Sequence, residues 1–224
     1  MRGLPRRLRD VLTVDAQRAW ADARALLPPE AYLMAGTAVS LHVGHRVSGD
    51  LDFFLDGPVD LAALEATLAD RGPLAVTQRA EGTLSCILRS TKLQFLDASS
   101  QHMVDAIYVV EGIRVAGIGD VLASKLKVVV DHPELRDYLD IQVMEQRTGR
   151  TVEEGLGLFL ERYRPVDPDA AVRNILRALV SFDDVPEDPA LEVTVEEMRL
   201  YWMERLPAIV AHLDRWGEVP PTVG

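Results

Sequence analysis

Asp50 and Asp52 stand one residue apart in the stretch MAGTAVSLHVGHRVSGDLDFFLDG, residues 34–57. On a β-strand, side chains alternate between faces. Both carboxylates would then point the same way, with Cα atoms about 7 Å apart. Two carboxylates that close repel one another unless a cation lies between them. Mg²⁺ (or Mn²⁺) suits the position, because a hard cation accepts one or two carboxylates and completes its shell with phosphate oxygens. Phe53, Phe54 and Leu55 follow directly, so the pair sits against a strand with apolar character. Upstream, Gly36-Thr37 is placed to open a helix. Backbone N–H groups at a helix start, with the positive end of its dipole, favour phosphate. Each element alone has a plain reading: a solvated strand face, or a threonine-capped turn. The combination of strand, Gly-Thr turn, helix and DxD strand puts a triphosphate cradle beside a metal pair.

The elements that must position these residues follow from periodicity. Residues 13–27 have apolar residues at helical spacing and stop at Pro-Pro. Residues 31–44 read as a short strand, a turn at Ala35-Gly36-Thr37, and a helix from near Thr37. Residues 50–57 alternate as a strand, with Leu51 and Phe53 on one face and Asp50, Asp52 and Phe54 on the other. Asp60 is placed to cap a helix over 60–72. The next segments are short and β-branched, and predict three or four antiparallel strands. From residue 117 the pattern is helical, over 117–132, 135–150, 151–164, 167–182 and 194–216. Two of these helices open with Thr-Val-Glu-Glu, close to a capping box. The expected fold is α+β: a mixed or antiparallel sheet with flanking helices over residues 1–120, then a helical region over 121–224.

Composition narrows the function. The chain has 224 residues, 48% of them hydrophobic, which is ample for a core. It has no long apolar run of the kind that crosses a membrane, and its basic N-terminus lacks the apolar stretch of a secretory signal. One cysteine, Cys86, allows no internal disulfide, so a cytoplasmic protein is expected. Cys86 itself reads as a core strand residue. The five histidines show no zinc spacing. The net charge of −11 argues against binding nucleic acid by bulk electrostatics. Residues 1–24 nevertheless carry six arginines against three aspartates, so a local basic surface stays open beside the plainer reading of a solvated helix face. Only three residues are lysine: Lys92, Lys125 and Lys127. Tyr201, Trp202 and Met203 read as core or interface rather than as a platform for bases.

The segment AGTAVSLHVGHRVSGDLDFF resembles the first motif of the AbiEii/AbiGii-type nucleotidyltransferases, within the DNA polymerase β-like nucleotidyltransferase superfamily. The match covers Gly36, Thr37, His45, Arg46, Ser48, Asp50, Asp52 and Phe53. A second segment, GIRVAGIGDVLASKLKVVVDHPELRDYLDI, is similar to a later segment of that family, with Lys125, Arg136, Asp137 and Asp140 at its marked positions. The resemblance implies a polymerase β-like fold and transfer of a nucleoside monophosphate from an NTP to an acceptor hydroxyl. It assigns Gly36 and Thr37 to the β- and γ-phosphates, Asp50 and Asp52 to Mg²⁺, and Lys125 to phosphate. Arg46 and Ser48 would also lie at the nucleotide, although Arg46 could equally cap a helix. His45 would orient a carboxylate or fill a turn, the second being favoured. Asp137, with Arg136 and Asp140, would serve the site or form ion pairs. The resemblance further implies a toxin of a bacterial toxin–antitoxin or phage-defence system, with RNA or tRNA, or protein, as acceptor and an antitoxin encoded nearby.

One departure bears on activity. Relatives of polymerase β usually place a third carboxylate on an adjacent strand, and the matching strand here is TKLQFLD. Gln94 aligns with that carboxylate, and it can neither bind Mg²⁺ strongly nor act as a base. Asp97 is the nearest carboxylate, but its parity puts it with Leu93 and Phe95 unless the strand ends or bulges. Two alternatives therefore stay open: a catalytically degenerate relative that binds nucleotide or protein, and a nucleotidyltransferase acting on a small molecule such as an antibiotic.

Overall fold

A computed structural model describes residues 8–216. The six arginines counted above include Arg2, Arg6 and Arg7, which lie outside the described residues. The chain divides into two compact units, Met1–Val121 and Leu122–Gly224.

The first unit is built on one seven-stranded sheet. Its elements are α1 (Leu8–Val11), α2 (Val14–Ala23), β1 (Ala31–Leu33), α3 (Ala35–Val43), β2 (Leu51–Leu55), α4 (Leu61–Ala69), β3 (Leu74–Ala80), β4 (Thr83–Leu88), β5 (Thr91–Asp97), β6 (Tyr108–Val110) and β7 (Ile113–Val115), with α5 (Ile118–Asp131) starting after them. The strand order is β3-β4-β5-β2-β1-β7-β6. β2 runs antiparallel to β1 and parallel to β5. The sheet is therefore mixed, and the fold is α+β as the sequence predicts.

Alternation along β2 and β5 decides what is buried. Leu51, Phe53 and Leu55 lie on one face with Leu93, Phe95, Leu84, Cys86 and Leu88, all almost fully buried. Phe53 and Phe95 stack at 5.4 Å. Helices α2, α3 and α4 pack on strands β5, β2 and β4, and α2 contributes Ala16, Ala19, Trp20 and Ala23 to the core. The opposite face is more open: Asp52, Phe54, Gln94 and Leu96 are half-buried, and Lys92 and Ile87 are exposed.

Local chemistry fixes the element ends. Thr13 accepts from the Ala16 N–H at 3.2 Å, and Asp60 accepts from Ala62 and Ala63 at 3.0 Å. The β6–β7 hairpin turns on Glu111 and Gly112, both at positive φ, as a two-residue turn with the twist of its strands requires.

The second unit contains the rest of α5, then α6 (Leu135–Thr148), α7 (Val152–Tyr163), α8 (Pro168–Ala178) and α9 (Val195–Trp216). Both Thr-Val-Glu-Glu stretches form reciprocal caps. Thr151 exchanges hydrogen bonds with Glu154, and Thr194 with Glu197. Arg205 on α9 bridges Glu145 of α6 (2.7 Å) and Glu153 of α7 (2.6 Å). Tyr201 also donates to Glu145, and Trp202 is fully buried, so this stretch belongs to the packing of the unit. No helix among the described residues is long and apolar enough to cross a membrane.

Candidate active site

The site grows out of the β1–α3–β2 connection. β1 pairs with β2 through Leu33 opposite Phe53, and the Met34 N–H then donates to the Asp52 carbonyl at 2.8 Å. The chain turns into α3 immediately. Ala35 makes this turn at φ +54°, a left-handed conformation that a residue with a Cβ rarely adopts and that costs on the order of 1–3 kcal/mol. The helix thus starts two residues earlier than the sequence predicts, and Gly36 and Thr37 lie within its first turn rather than in a loop ahead of it. The cap residue, Met34, makes no side-chain hydrogen bond to the helix start. The opening N–H groups of α3 therefore lack a side-chain cap beside the backbone of Asp52, an arrangement that attracts anions.

Thr37 takes a role other than the expected one. Its side chain is buried, with Oγ1 2.6 Å from Ser48 Oγ and 2.5 Å from the Asp50 carbonyl. A carbonyl only accepts, so Thr37 donates to Asp50 and the Ser48 hydroxyl donates to Thr37. Ser48 is buried too, and its backbone bonds Val11 and Thr13. These two hydroxyls, expected at a phosphate, instead fix the loop that enters β2 and so set the height of Asp50. Gly44 ends α3 in the left-handed conformation, and His45 and Arg46 follow as half-buried residues of that loop.

Asp52 and Gln94 stand directly opposite one another on parallel strands, and Gln94 stands opposite Ser85 on β4. This row crosses the open face of the sheet. The register sets Gln94 beside Asp52. Asp97 does not complete it: it stands opposite Leu55, three residues further along, which is about 10 Å on a strand. Asp97 is exposed, and the Ser99 N–H it accepts at 2.8 Å holds its carboxyl below the ordinary range. Asp50 and Asp52 are both half-buried. No group of three or more His, Cys, Asp or Glu side chains able to hold a metal occurs among the described residues. Asp50 directly precedes β2 and Asp52 lies on it, and two neighbouring carboxylates still fit Mg²⁺, because that ion takes its remaining ligands from phosphate and water.

The residues of the second motif gather in the other unit. The Lys125 ammonium lies 2.6 Å from Asp137 Oδ1 and 2.7 Å from Asp140 Oδ2, with all three side chains buried. Burial alone would lower the Lys125 pKa, but Asp140 and Asp137 outweigh it and hold the ammonium above the ordinary lysine range. Asp137 also accepts from the Glu134 N–H at 3.1 Å and so caps α6. Arg136 is ion-paired with Glu134. Lys125, which the resemblance assigns to phosphate, lies in a buried triad in which one cation meets two carboxylates.

No family model matches the chain. It is 25% identical over 176 residues to an uncharacterized protein, aq_aa25, of Aquifex aeolicus, covering 77% of this chain and 81% of that one. Among solved structures, it resembles a candidate nucleotidyltransferase from H. pylori, with 20% identity, 91% of this chain and 98% of that one covered, and a TM-score of 0.54. It also resembles JHP933 from Helicobacter pylori, with 19% identity, 92% and 97% coverage, and a TM-score of 0.51. The chain has the nucleotidyltransferase fold. Its DxD strand lies at the middle of the sheet, with the uncapped helix start on the β1 side and Gln94 on the β5 side.

Proposed function

We propose that this protein is a Mg²⁺-dependent (or Mn²⁺-dependent) nucleotidyltransferase. The observation that carries the reading is the bond from the Met34 N–H to the Asp52 carbonyl, which sets the start of α3 beside the DxD pair. Gly36 and the first N–H groups of α3 would receive the β- and γ-phosphates of an NTP, with Arg46 at their edge. Asp50 and Asp52 would hold Mg²⁺, which when bound supplies neutralisation of the triphosphate and polarisation at the α-phosphorus. The acceptor oxygen bonds to the α-phosphorus as the bond to the β-phosphate oxygen breaks, pyrophosphate leaves, and the hydroxyl proton passes to water. Gln94 takes no part in moving that proton, having no basic atom for it. Its amide would hydrogen-bond the acceptor beside Asp52.

The family resemblance extends this reading to a cytoplasmic toxin that modifies RNA or tRNA and is restrained by an antitoxin. Purified protein with Mg²⁺ and each labelled NTP, offered total RNA and total protein, should label one acceptor, and Asp52→Asn should abolish the label. Expression alone should arrest growth in a manner that Asp50→Ala relieves. A second reading, nucleotide or protein binding without transfer, is favoured by Gln94 in the third position. It is the outcome if NTP binds and no acceptor is ever labelled. Label on a soluble small molecule, without growth arrest, would indicate the antibiotic type.

A further inference from the structure

Helix α9 has two apolar faces, and the packing of its own unit uses one of them. Met198, Trp202 and Ile209 are buried, and Arg205 beside them reaches Glu145 and Glu153. At 3.6 residues per turn, Leu200, Met203, Pro207 and Val210 fall on the other side of the helix. Leu200 is 54% exposed, Met203 50% and Val210 38%, and Pro207 is exposed as well. Their spacing of three, four and three residues is the rhythm of a seam that packs against another helix. The stripe runs for about 15 Å along α9. Single apolar residues scattered over a surface need no explanation, but an aligned apolar stripe marks an interaction surface.

The charges around the stripe decide what can cover it. In the heptad that puts Leu200 and Pro207 at a, and Met203 and Val210 at d, the preceding d position is Glu196 and the following a position is Asp214. Glu197 and Glu204 occupy e positions, and Arg199 occupies a g position. Arg199 is held by Glu196 at 2.6 Å and lies 3.1 Å from the Met203 sulfur. That pair is exposed, so it does little to quench the carboxylate. The seam is thus apolar in the middle and acidic at both ends. A second copy of α9 laid along it would oppose like charges in either direction. In parallel, Glu196 meets Glu196 and Asp214 meets Asp214; in antiparallel, Glu196 meets Asp214. Like charges at facing seam positions work against pairing, whereas lysine or arginine there would favour it. The surrounding sequence has the same sign, with twelve acidic residues against five basic ones over 165–224.

We propose that the outer face of α9 docks a basic amphipathic helix of a partner protein, with apolar residues at its a and d positions and lysine or arginine beside them. The apolar stripe supplies the contact, and the acidic positions select a basic partner and fix its register. Every residue involved lies in the second unit, so docking here is independent of the nucleotidyl-transfer reading.

The test is fluorescence anisotropy of a fluorescein-labelled three-heptad peptide titrated with the full chain. The peptide has leucine at a and d and lysine at e and g, and the lysines also keep it from pairing with itself. A matched peptide with glutamate at e and g is the control. The lysine peptide should bind at least about 10-fold more tightly than the glutamate peptide, and its affinity should fall as salt rises. Met203→Glu should weaken its binding at least about 10-fold, as loss of a central anchor does. Glu204→Lys/Asp214→Lys should weaken it at least about 5-fold and flatten the salt dependence. Asp183→Lys/Asp184→Lys, the same charge change at exposed positions outside α9, should stay within about two-fold. All the substituted side chains are exposed, so the variants should keep the wild-type circular dichroism and melting midpoint. Docking at α9 is overturned if neither peptide binds, if the two bind equally, or if Met203→Glu leaves binding unchanged. An equal loss in Asp183→Lys/Asp184→Lys assigns binding to bulk charge and overturns it too. So does light scattering that finds a wild-type dimer which Met203→Glu turns into a monomer, because a second copy then covers the stripe.

Discussion

Replacing Lys125 with methionine separates a buried ion triad from a phosphate contact. The substitution keeps the length and apolar stem of the side chain and removes only the charge. Asp137 and Asp140 would then face each other with their shared cation gone; their side chains are 6% and 0% exposed. Breaking a buried pair by deleting one partner costs about 3–5 kcal/mol, because the remaining charge is left uncompensated. A domain has a total stability of about 5–15 kcal/mol, so the loss is a large part of what the helical unit has. At about 4–8 °C per kcal/mol for a unit of roughly a hundred residues, its transition should fall by at least about 12 °C. Scanning calorimetry on the full chain, read with the helical circular dichroism signal, measures this. The double variant Lys125→Met/Asp140→Asn should recover part of the loss, since one of the two uncompensated carboxylates is gone. A Lys125→Met protein that melts within about 1 kcal/mol of wild type, yet no longer binds NTP, would refute the reasoning and assign Lys125 to phosphate.

Other consequences follow from the same geometry. Gln94→Asp puts a third carboxylate in the row of Asp52, on a strand about 5 Å away. Without divalent cation the variant should melt below wild type, and Mg²⁺ should raise its midpoint by more than it raises that of wild type. Equal responses to Mg²⁺ would place Gln94 away from the metal. Glu153 tests the second unit by pH. Burial, the largest single influence, would raise its pKa, but the hydrogen bond and charge of Arg205, together with a backbone hydrogen bond and the His212 charge, outweigh it and lower the carboxyl below its ordinary value. Stability from this contact is thus present above the unfolded value and lost as pH falls through the lower folded value. Titrating the melting midpoint from pH 6 to pH 3 should therefore show a steeper decline in wild type than in Arg205→Gln.

The candidate site was legible where local patterns set it and obscure where distant segments meet. Alternation in LDFFL correctly separates Leu51 and Phe53 from Asp52 and Phe54, because a half-buried strand has a period of two. The Thr-Val-Glu-Glu caps are legible for a similar reason, their partners being three residues apart. The start of α3 was misplaced because Ala35 adopts a left-handed conformation that nothing in its residue type announces. The roles of Thr37 and Ser48 depend on a fold-back across eleven residues, and periodicity carries no trace of it. The parallel pairing of β2 with β5 is long-range as well, so the sequence could name Gln94 but not show it opposite Asp52. Lys125 looks like any helical lysine until the turn between α5 and α6 brings two aspartates onto it.

The central claim is that Asp50, Asp52 and the start of α3 form one site for a metal-bound triphosphate. Isothermal titration calorimetry of the full chain with each NTP, with Mg²⁺ and then with EDTA, tests it most directly. The account predicts binding of at least one NTP that requires Mg²⁺ and weakens at least about ten-fold in both Asp50→Asn and Asp52→Asn, with the fold intact by circular dichroism. NTP binding that persists in EDTA, or that both variants retain at full strength, would contradict it.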